Sequence, residues 1–335
     1  MLARKLPLAT ILFLLLRLLT EGIADAQERI RPSRTHHIVV LSSGESTSSD
    51  HPLLMGLRYG LKRAGYVEGI NLFLHVPRNQ NYDEVRATAQ QYKNESIDVF
   101  VSIGSTDTAI AKQAGLTAPI IFMPARDPLG RGFVKSLARP QTNLTGLAYE
   151  VNEEIAGKEM EIFKNVVSRL QRVLILFEGS LEKPVFSRSL PALRNVSEHL
   201  GISLIERPVR SYAEAEHAVS ALPQELVNGI FILCTNFFSG DQNTPTIAKK
   251  KKIPFYGCPS QVRKFGGLVS YAPDLFYIGR RGAWYVDRIL KGAGPQELPV
   301  ETPRKFELAI NLKTADAIRL KIPHEVLQRA DKVIR

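Results

Sequence analysis

The sequence predicts an α/β protein made of two doubly wound parallel-sheet lobes. Short apolar runs rich in β-branched residues alternate with amphipathic helical segments along the 335 residues. The expected strands start roughly 25 to 35 residues apart, which is the size of a strand-helix-strand crossover. Their apolar runs are continuous, as in strands that helices cover on both faces. At roughly 150 residues per domain, the length accommodates two such units.

The composition excludes several classes of protein. The chain is 44% hydrophobic and 23% charged, close to globular averages, which argues against a disordered, collagenous or polytopic membrane protein. Two cysteines are too few for a disulfide-dense scaffold or a four-cysteine zinc site. The net charge of +11 raises the question of a nucleic-acid partner.

The N-terminus predicts export. Arg4 and Lys5 precede a leucine-rich run, and Ala24-Asp25-Ala26 supplies a small-residue cleavage site, so we expect a signal peptide over 1–26 and a polar leader over 27–35. A membrane anchor is the alternative, but Arg17 interrupts an apolar run already short of the ~20 residues that span a bilayer. A periplasmic protein does not meet the genome, so we expect no nucleic-acid partner.

The first lobe begins with a βα unit. An apolar run over 37–41 is followed by leucines at helical spacing over 52–64, and Gly65 ends that helix. The pattern repeats twice and ends in a fourth strand. The remaining expected strands are 71–76, 97–103 and 119–123, and the remaining helices are 82–93 and 106–114.

The second lobe repeats the alternation. We expect helices over 157–167, 185–200 and 212–222, and strands over 172–177, 202–206, 229–234 and 254–257. Because open parallel sheets bind ligands at the carboxyl ends of their strands, two such lobes predict a ligand held between them.

The loop after the third strand is one candidate contact. Gly104, Ser105 and Thr106 open a helix, whose free amides and positive dipole end favour an anion such as a carboxylate. The alternative is an ordinary N-cap made by Ser105 or Thr106.

The loop after the fourth strand carries a second candidate. Arg126 and Asp127 place a base and an acid at the cleft edge, as ligand contacts or as a mutual salt bridge.

Aromatic residues recur where strands of the second lobe end. Phe177, Tyr256 and Tyr271 would suit a planar or apolar ligand. Asn236 and Glu178 could fix its polar ends. Filling of the lobe core is the alternative.

The two cysteines could be linked to each other. Cys234 and Cys258 end consecutive expected strands, so they form either a disulfide or two buried thiols.

Motifs of hydrolases and nucleotide-binding enzymes are absent from the sequence. It has no G-x-S-x-G elbow, no H-E-x-x-H helix and no G-x-x-x-x-G-K-[ST] phosphate loop. Its histidines are scattered apart from His36 and His37. We therefore expect no enzyme, no metal and no cofactor.

Six segments of the sequence form a recognisable series: 56–69 (GLRYGLKRAGYVEG), 127–128 (DP), 137–140 (LARP), 143–147 (NLTGL), 266–274 (GGLVSYAPD) and 305–315 (KFELAINLKTA). In this order they resemble segments of the ABC-transporter substrate-binding protein family that includes tryptophan- and tyrosine-type binding proteins. The similarity extends over 36–335.

The resemblance implies a type I periplasmic binding protein fold with three crossings that form a hinge. It implies a first lobe of 36–148 plus 272–296 and a second of 149–271 plus 297–335. It also implies a monomer that captures a small ligand, such as an aromatic or other amino-acid-like carboxylate, by hinge closure and delivers it to an ABC permease. A periplasmic partner of a sensory receptor and a secreted α/β enzyme are the alternatives. The ligand positions that it implies are Ser43, Gly104, Ser105, Thr106, Asp127, Asn236 and Tyr271.

Overall fold

A computed structural model describes residues 34–79, 81–150, 154–179, 189–223 and 225–335. The expected signal peptide over 1–26, and the leader as far as residue 33, lie outside the described residues.

The first lobe is built on a five-stranded sheet whose strands all run parallel, in the order β2-β1-β3-β4-β5. This confirms the parallel sheet expected from the continuous apolar runs. The strands are β1 His36–Leu41, β2 Leu72–His75, β3 Val99–Ser102, β4 Ile120–Arg126 and β5 Leu144–Glu150. The helices of the crossovers are α1 Pro52–Arg63, α2 Tyr82–Tyr92 and α3 Ser105–Gln113.

Residues 38–41 of strand β1 are all apolar, without the alternation of apolar and polar residues that marks a half-buried strand. Ile38 and Val40 pack in one buried cluster with the leucines of α1, whereas Val39 and Leu41 pack in another with residues of α2 and α3. All four side chains are fully buried. Both faces of the sheet are covered here, so each of these four positions is apolar.

The second lobe is built on a seven-stranded sheet in the order β12-β11-β10-β9-β8-β6-β7. Its strands are β6 Arg172–Glu178, β7 Ser203–Val209, β8 Gly229–Ile232, β9 Phe255–Tyr256, β10 Val269–Pro273, β11 Phe306–Asn311 and β12 Lys332–Ile334. Its helices are α4 Glu154–Val166, α5 Ser189–His199, α6 Tyr212–Ser220, α7 Asn236–Ser239, α8 Asn243–Lys250, α9 Pro259–Lys264, α11 Leu312–Ala317 and α12 His324–Gln328. Helix α10 Leu275–Leu290 follows β10 in the chain but packs on the first lobe.

One strand pair departs from the parallel arrangement. Strands β10 and β11 are antiparallel, with Pro273 opposite Phe306. The chain leaves the second sheet at the end of β10, forms α10 on the first lobe, and returns beside the point at which it left. Because departure and return are adjacent, β11 runs back along β10 in the opposite direction.

Helix α10 packs tightly on α1. A β-carbon built on Gly279 would lie 1.9 Å from the carbonyl oxygen of Leu53, and one built on Gly56 would lie 2.2 Å from that of Phe276. These glycines allow the two backbones to approach each other and fix the returning helix on the first lobe. Among the helices of the described ranges, none is long and apolar enough to cross a membrane.

Candidate functional site

Residues of both lobes line a cavity of about 80 Å³ at the carboxyl ends of the strands. The first lobe contributes the opening of α3 and side chains from β4 and β5. The second contributes the segments that follow β8 and β9. The polar and aromatic side chains in the wall include Ser46, His51, Tyr82, Ser105, Thr106, Arg126 and Tyr149 from the first lobe, and Thr235 and Ser239 from the second.

The opening of α3 is shaped by a glycine. Gly104 has φ of 94°, a conformation that residues with a β-carbon rarely adopt, and it lets the chain turn from β3 into the helix. Ser105 and Thr106 do not act as the side-chain cap that was the alternative, because Gly104 is itself the N-cap residue. Instead, Ser105 Oγ accepts a hydrogen bond of 2.8 Å from the amide of Arg126, and Thr106 lies buried in the cavity wall.

Arg126 joins the two lobes. Its guanidinium lies 3.8 Å from the centre of the Tyr149 ring, and Nη2 is 3.6 Å from Oε1 of Glu159 on α4. The Tyr149 hydroxyl donates to the same carboxylate oxygen at 3.0 Å. Both members of the ion pair are almost fully buried. The sequence suggested that Arg126 could pair with Asp127, but its structural partner here comes from the other lobe.

A second polar cluster joins α2, β6 and the loop after β8, and its members Tyr82 and Thr235 line the cavity. Thr235 Oγ1 donates to Glu178 Oε2 at 3.0 Å, and Glu178 is buried. Burial, with the nearby carboxylates of Glu178 and Asp107, raises the pKa of the Tyr82 phenol well above its usual value. Tyr82 therefore keeps its proton and remains available as a hydrogen-bond donor between the lobes.

Asp127 lies at the edge of this cluster. It has φ of 46°, and its Oδ1 accepts a hydrogen bond of 2.9 Å from the amide of Gly130. Burial lowers the pKa of the neighbouring Arg131 guanidinium, while Glu178 and Asp127 oppose that shift because they stabilise its charge. Asp127 thus lies among charged groups at the boundary between the lobes.

The structure brings together four of the five expected contacts of the first lobe, whereas Asp127 lines neither the cavity nor the space that adjoins it. Gly104, Ser105 and Thr106 line the cavity. Ser43 lines an adjoining space of about 460 Å³ together with Thr106 and Tyr82, and its hydroxyl donates to Asp107 at 3.4 Å.

The expected aromatic contacts of the second lobe lie elsewhere. Tyr256 is buried in the lobe core, where it stacks on Phe231 with ring centres 4.4 Å apart. Phe177 packs against the same core, as the alternative of core filling proposed. Tyr271 lines a separate cavity of the second lobe. Asn236 begins α7, but its side chain is outside the described part of the structure.

The two cysteines are joined. The disulfide connects Cys234 to Cys258 with their α-carbons 5.3 Å apart, and Cys234 also lines the cavity. Strands β8 and β9 are parallel neighbours, so the residues that follow them meet at the same edge of the sheet. The bond therefore holds two cavity loops together.

Sequence reasoning missed Tyr82, Tyr149 and Thr235. A signal for Tyr82 existed, since it opens α2 just after the β2 strand, at a position equivalent to the opening of α3. Thr235 also had a signal, since it follows β8 next to the predicted contact Asn236. Tyr149 had no comparable signal, because it faces the cavity only when the two lobes are placed against each other.

Comparison with known proteins identifies the family and the fold of this chain. Residues 38–334 match the family described as ABC transporter substrate binding protein. A tyrosine-binding protein of Clostridioides difficile (strain R20291) is 22% identical over 285 residues, which are 83% of this chain and 81% of the relative.

Two solved structures share the fold at a TM-score of 0.80, each covering 90% of this chain and 100% of its own. They are a conserved domain protein from Vibrio cholerae O1 biovar eltor str. N16961, 28% identical, and an ABC domain in complex with L-Trp from Streptococcus pneumonia, 24% identical. Other neighbours, including an ABC solute binding protein from Agrobacterium vitis, confirm the expected type I periplasmic binding protein fold. The chain belongs to the ABC transporter substrate-binding protein family.

Proposed function

We propose that this protein is the extracytoplasmic solute-binding component of an ABC importer, and that it captures an amino-acid-like carboxylate between its lobes. The observation on which the proposal depends is the position of the α3 opening in the wall of a cavity that both lobes complete. Aromatic amino acids are the first candidates, since one relative is a tyrosine-binding protein and one structural neighbour contains L-Trp.

The charges suggest how such a ligand would lie. The opening turn of α3 offers amides, the Thr106 hydroxyl and the positive end of the helix dipole to a carboxylate. Across the cavity, Thr235 lies in the wall and donates to the buried Glu178 carboxylate behind it, whose negative charge favours a cationic or hydrogen-bond-donating group. A ligand with an anionic and a cationic end would therefore bridge the lobes.

Closure follows from that bridging. In the proposed mechanism the ligand docks on the first lobe, and the second closes over it by rotation at crossings near residues 148, 272 and 296. The ligand stabilises the closed form because only that form supplies contacts from both sides. The permease then recognises the closed protein, which acts as a monomer.

Calorimetry with L-Tyr and L-Trp tests the binding step. Replacing Thr106 with Val keeps its shape but removes the hydroxyl, and should weaken binding by about 1–3 kcal/mol if that group contacts the ligand. Thr117→Val, at an exposed position, is the matched control. Unchanged affinity in a stably folded Thr106→Val variant would reject this role for the hydroxyl.

Uptake measurements test the transport step. Deleting the gene should abolish high-affinity uptake of the ligand found by calorimetry, and expression of the full-length chain should restore it. Unchanged uptake in the deletion strain would favour the sensory alternative.

A further inference from the structure

The second lobe has a cavity of its own, separate from the space between the lobes. It measures about 260 Å³ and lies between α4, the β10–β11 pair and the segment around α12. Its wall contains two aromatic rings, three cations and one carboxylate: Tyr271, Phe306, Lys158, Arg304, Arg329 and Asp331.

The two rings stack on each other and form one apolar patch in the cavity wall. Tyr271 and Phe306 stack with centres 5.1 Å apart and planes 17° from parallel. They come from the adjacent strands β10 and β11, and both are only partly buried. The stack is held in place because the amide and carbonyl of Tyr271 both hydrogen-bond the Tyr256 hydroxyl, at 3.1 Å each. Such a fixed surface suits a planar group.

The charges around the rings are predominantly positive. Arg304 and Arg329 are exposed, and neither forms an ion pair with another residue in the described part of the chain. Lys158 pairs with the exposed Glu161 at 2.8 Å. Asp331 is the only carboxylate in the wall, and its Oδ2 accepts a hydrogen bond of 2.8 Å from the amide of Leu308.

We propose that this cavity binds a small aromatic anion, with its ring on the Tyr271–Phe306 stack and its negative group on Arg304 and Arg329. Guanidinium groups form paired hydrogen bonds with carboxylates and phosphates alike, so both an aromatic carboxylate and an aromatic phosphate ester fit this chemistry.

The site is distinct from the ligand cavity between the lobes. Strand β10 separates them, because successive side chains of a strand point to opposite faces. Ala272 lines the interlobe cavity, whereas Tyr271 lines the second-lobe cavity. Binding here can therefore be measured independently of the proposed transport ligand.

Methyl NMR of the whole protein locates the binding of defined probes. Ile162, Leu308 and Val326 lie in the wall of the second-lobe cavity, while Leu53 and Ile103 report on the interlobe cavity. Benzoate and phenyl phosphate are the probes for the two anionic groups, and neutral benzamide is the control for charge. We expect saturable shifts of the first three methyl groups with benzoate, phenyl phosphate or both, and weaker binding of benzamide.

Arginine variants test the role of charge. Arg304→Ala and Arg329→Ala should each weaken anion binding about tenfold, as expected for the loss of a charge-assisted hydrogen bond. Arg169→Ala, at an exposed position just beyond α4, should leave it unchanged. Shifts confined to Leu53 and Ile103, binding of benzamide equal to that of the anions, or unchanged affinity in folded Arg304→Ala and Arg329→Ala variants would each overturn the proposal.

Discussion

Arg126 and Glu159 form an ion pair that connects the two lobes, with 3.6 Å between Nη2 and Oε1 and side-chain exposures of 4% and 2%. Arg126 ends β4 of the first lobe, and Glu159 lies in α4 of the second. Each charge has lost most of its hydration, so each depends on its partner and on the neighbouring Tyr149 for stabilisation.

Removing one charge of this pair should destabilise the folded protein. We expect Glu159→Gln to lower the free energy of unfolding by about 3 kcal/mol, because it removes the negative charge that faces the buried Arg126 guanidinium at 3.6 Å. Urea unfolding at neutral pH measures this change. Glu161→Gln, on the same helix, removes the exposed partner of Lys158 and should change stability by less than about 1 kcal/mol. Equal effects of the two substitutions would contradict a special role for the buried pair.

The disulfide should stabilise the second lobe. Cys234 and Cys258 are 24 residues apart in the sequence, and closing a loop of that length is expected to contribute about 3 kcal/mol. We expect the Cys234→Ser/Cys258→Ser double variant to unfold at lower urea concentration, and a reductant to destabilise the wild type but not the variant. Mass spectrometry under denaturing conditions checks the bond, since a mass unchanged by reduction would show that it does not form.

The contact of α10 with α1 should tolerate no added side chain at Gly279. An alanine β-carbon would lie 1.9 Å from the carbonyl oxygen of Leu53, so the helices would have to separate. We expect Gly279→Ala to destabilise the protein by about 3 kcal/mol in urea unfolding. Arg280→Ala, an exposed neighbour on the same helix, should have little effect. If Gly279→Ala were as stable as wild type, the close approach of the helices would be refuted.

His51 should make stability depend on pH. Burial lowers its pKa from 6.5 to about 4, with Lys264 adding to the shift. Below pH 6.5 the unfolded chain takes up a proton that the folded protein does not, so stability is retained above that pH and decreases as the pH falls towards 4. The full shift corresponds to about 3 kcal/mol.

The control for this prediction is the exposed His324. Urea unfolding at pH 7, 5.5 and 4 should show a shallower loss of stability in His51→Gln than in wild type, whereas His324→Gln should follow wild type. Parallel pH profiles for wild type and His51→Gln would exclude His51 as the source.

The strands and the opening of α3 could be predicted because their signals are local. A strand segment buried on both faces is apolar at consecutive positions, as residues 38–41 of β1 show. A glycine before hydroxyl residues predicts the turn into a helix. Tyr271 illustrates the limit of such signals. Its place at the end of a strand was visible, but the face of β10 on which it lies depends on the register of pairing with β11.

The sequence by itself determined the alternating α/β pattern and, through its two series of strands and helices, the two-lobe architecture. It also determined the first-lobe residues Gly104, Ser105 and Thr106 that line the cavity. Only the tertiary structure decided that Arg126 pairs with Glu159, that Tyr82 faces Glu178, and that β11 runs antiparallel to β10. The physical reason is distance along the chain. Periodicity and capping act within a few residues, whereas these contacts form between segments that only the packing of the two lobes brings together.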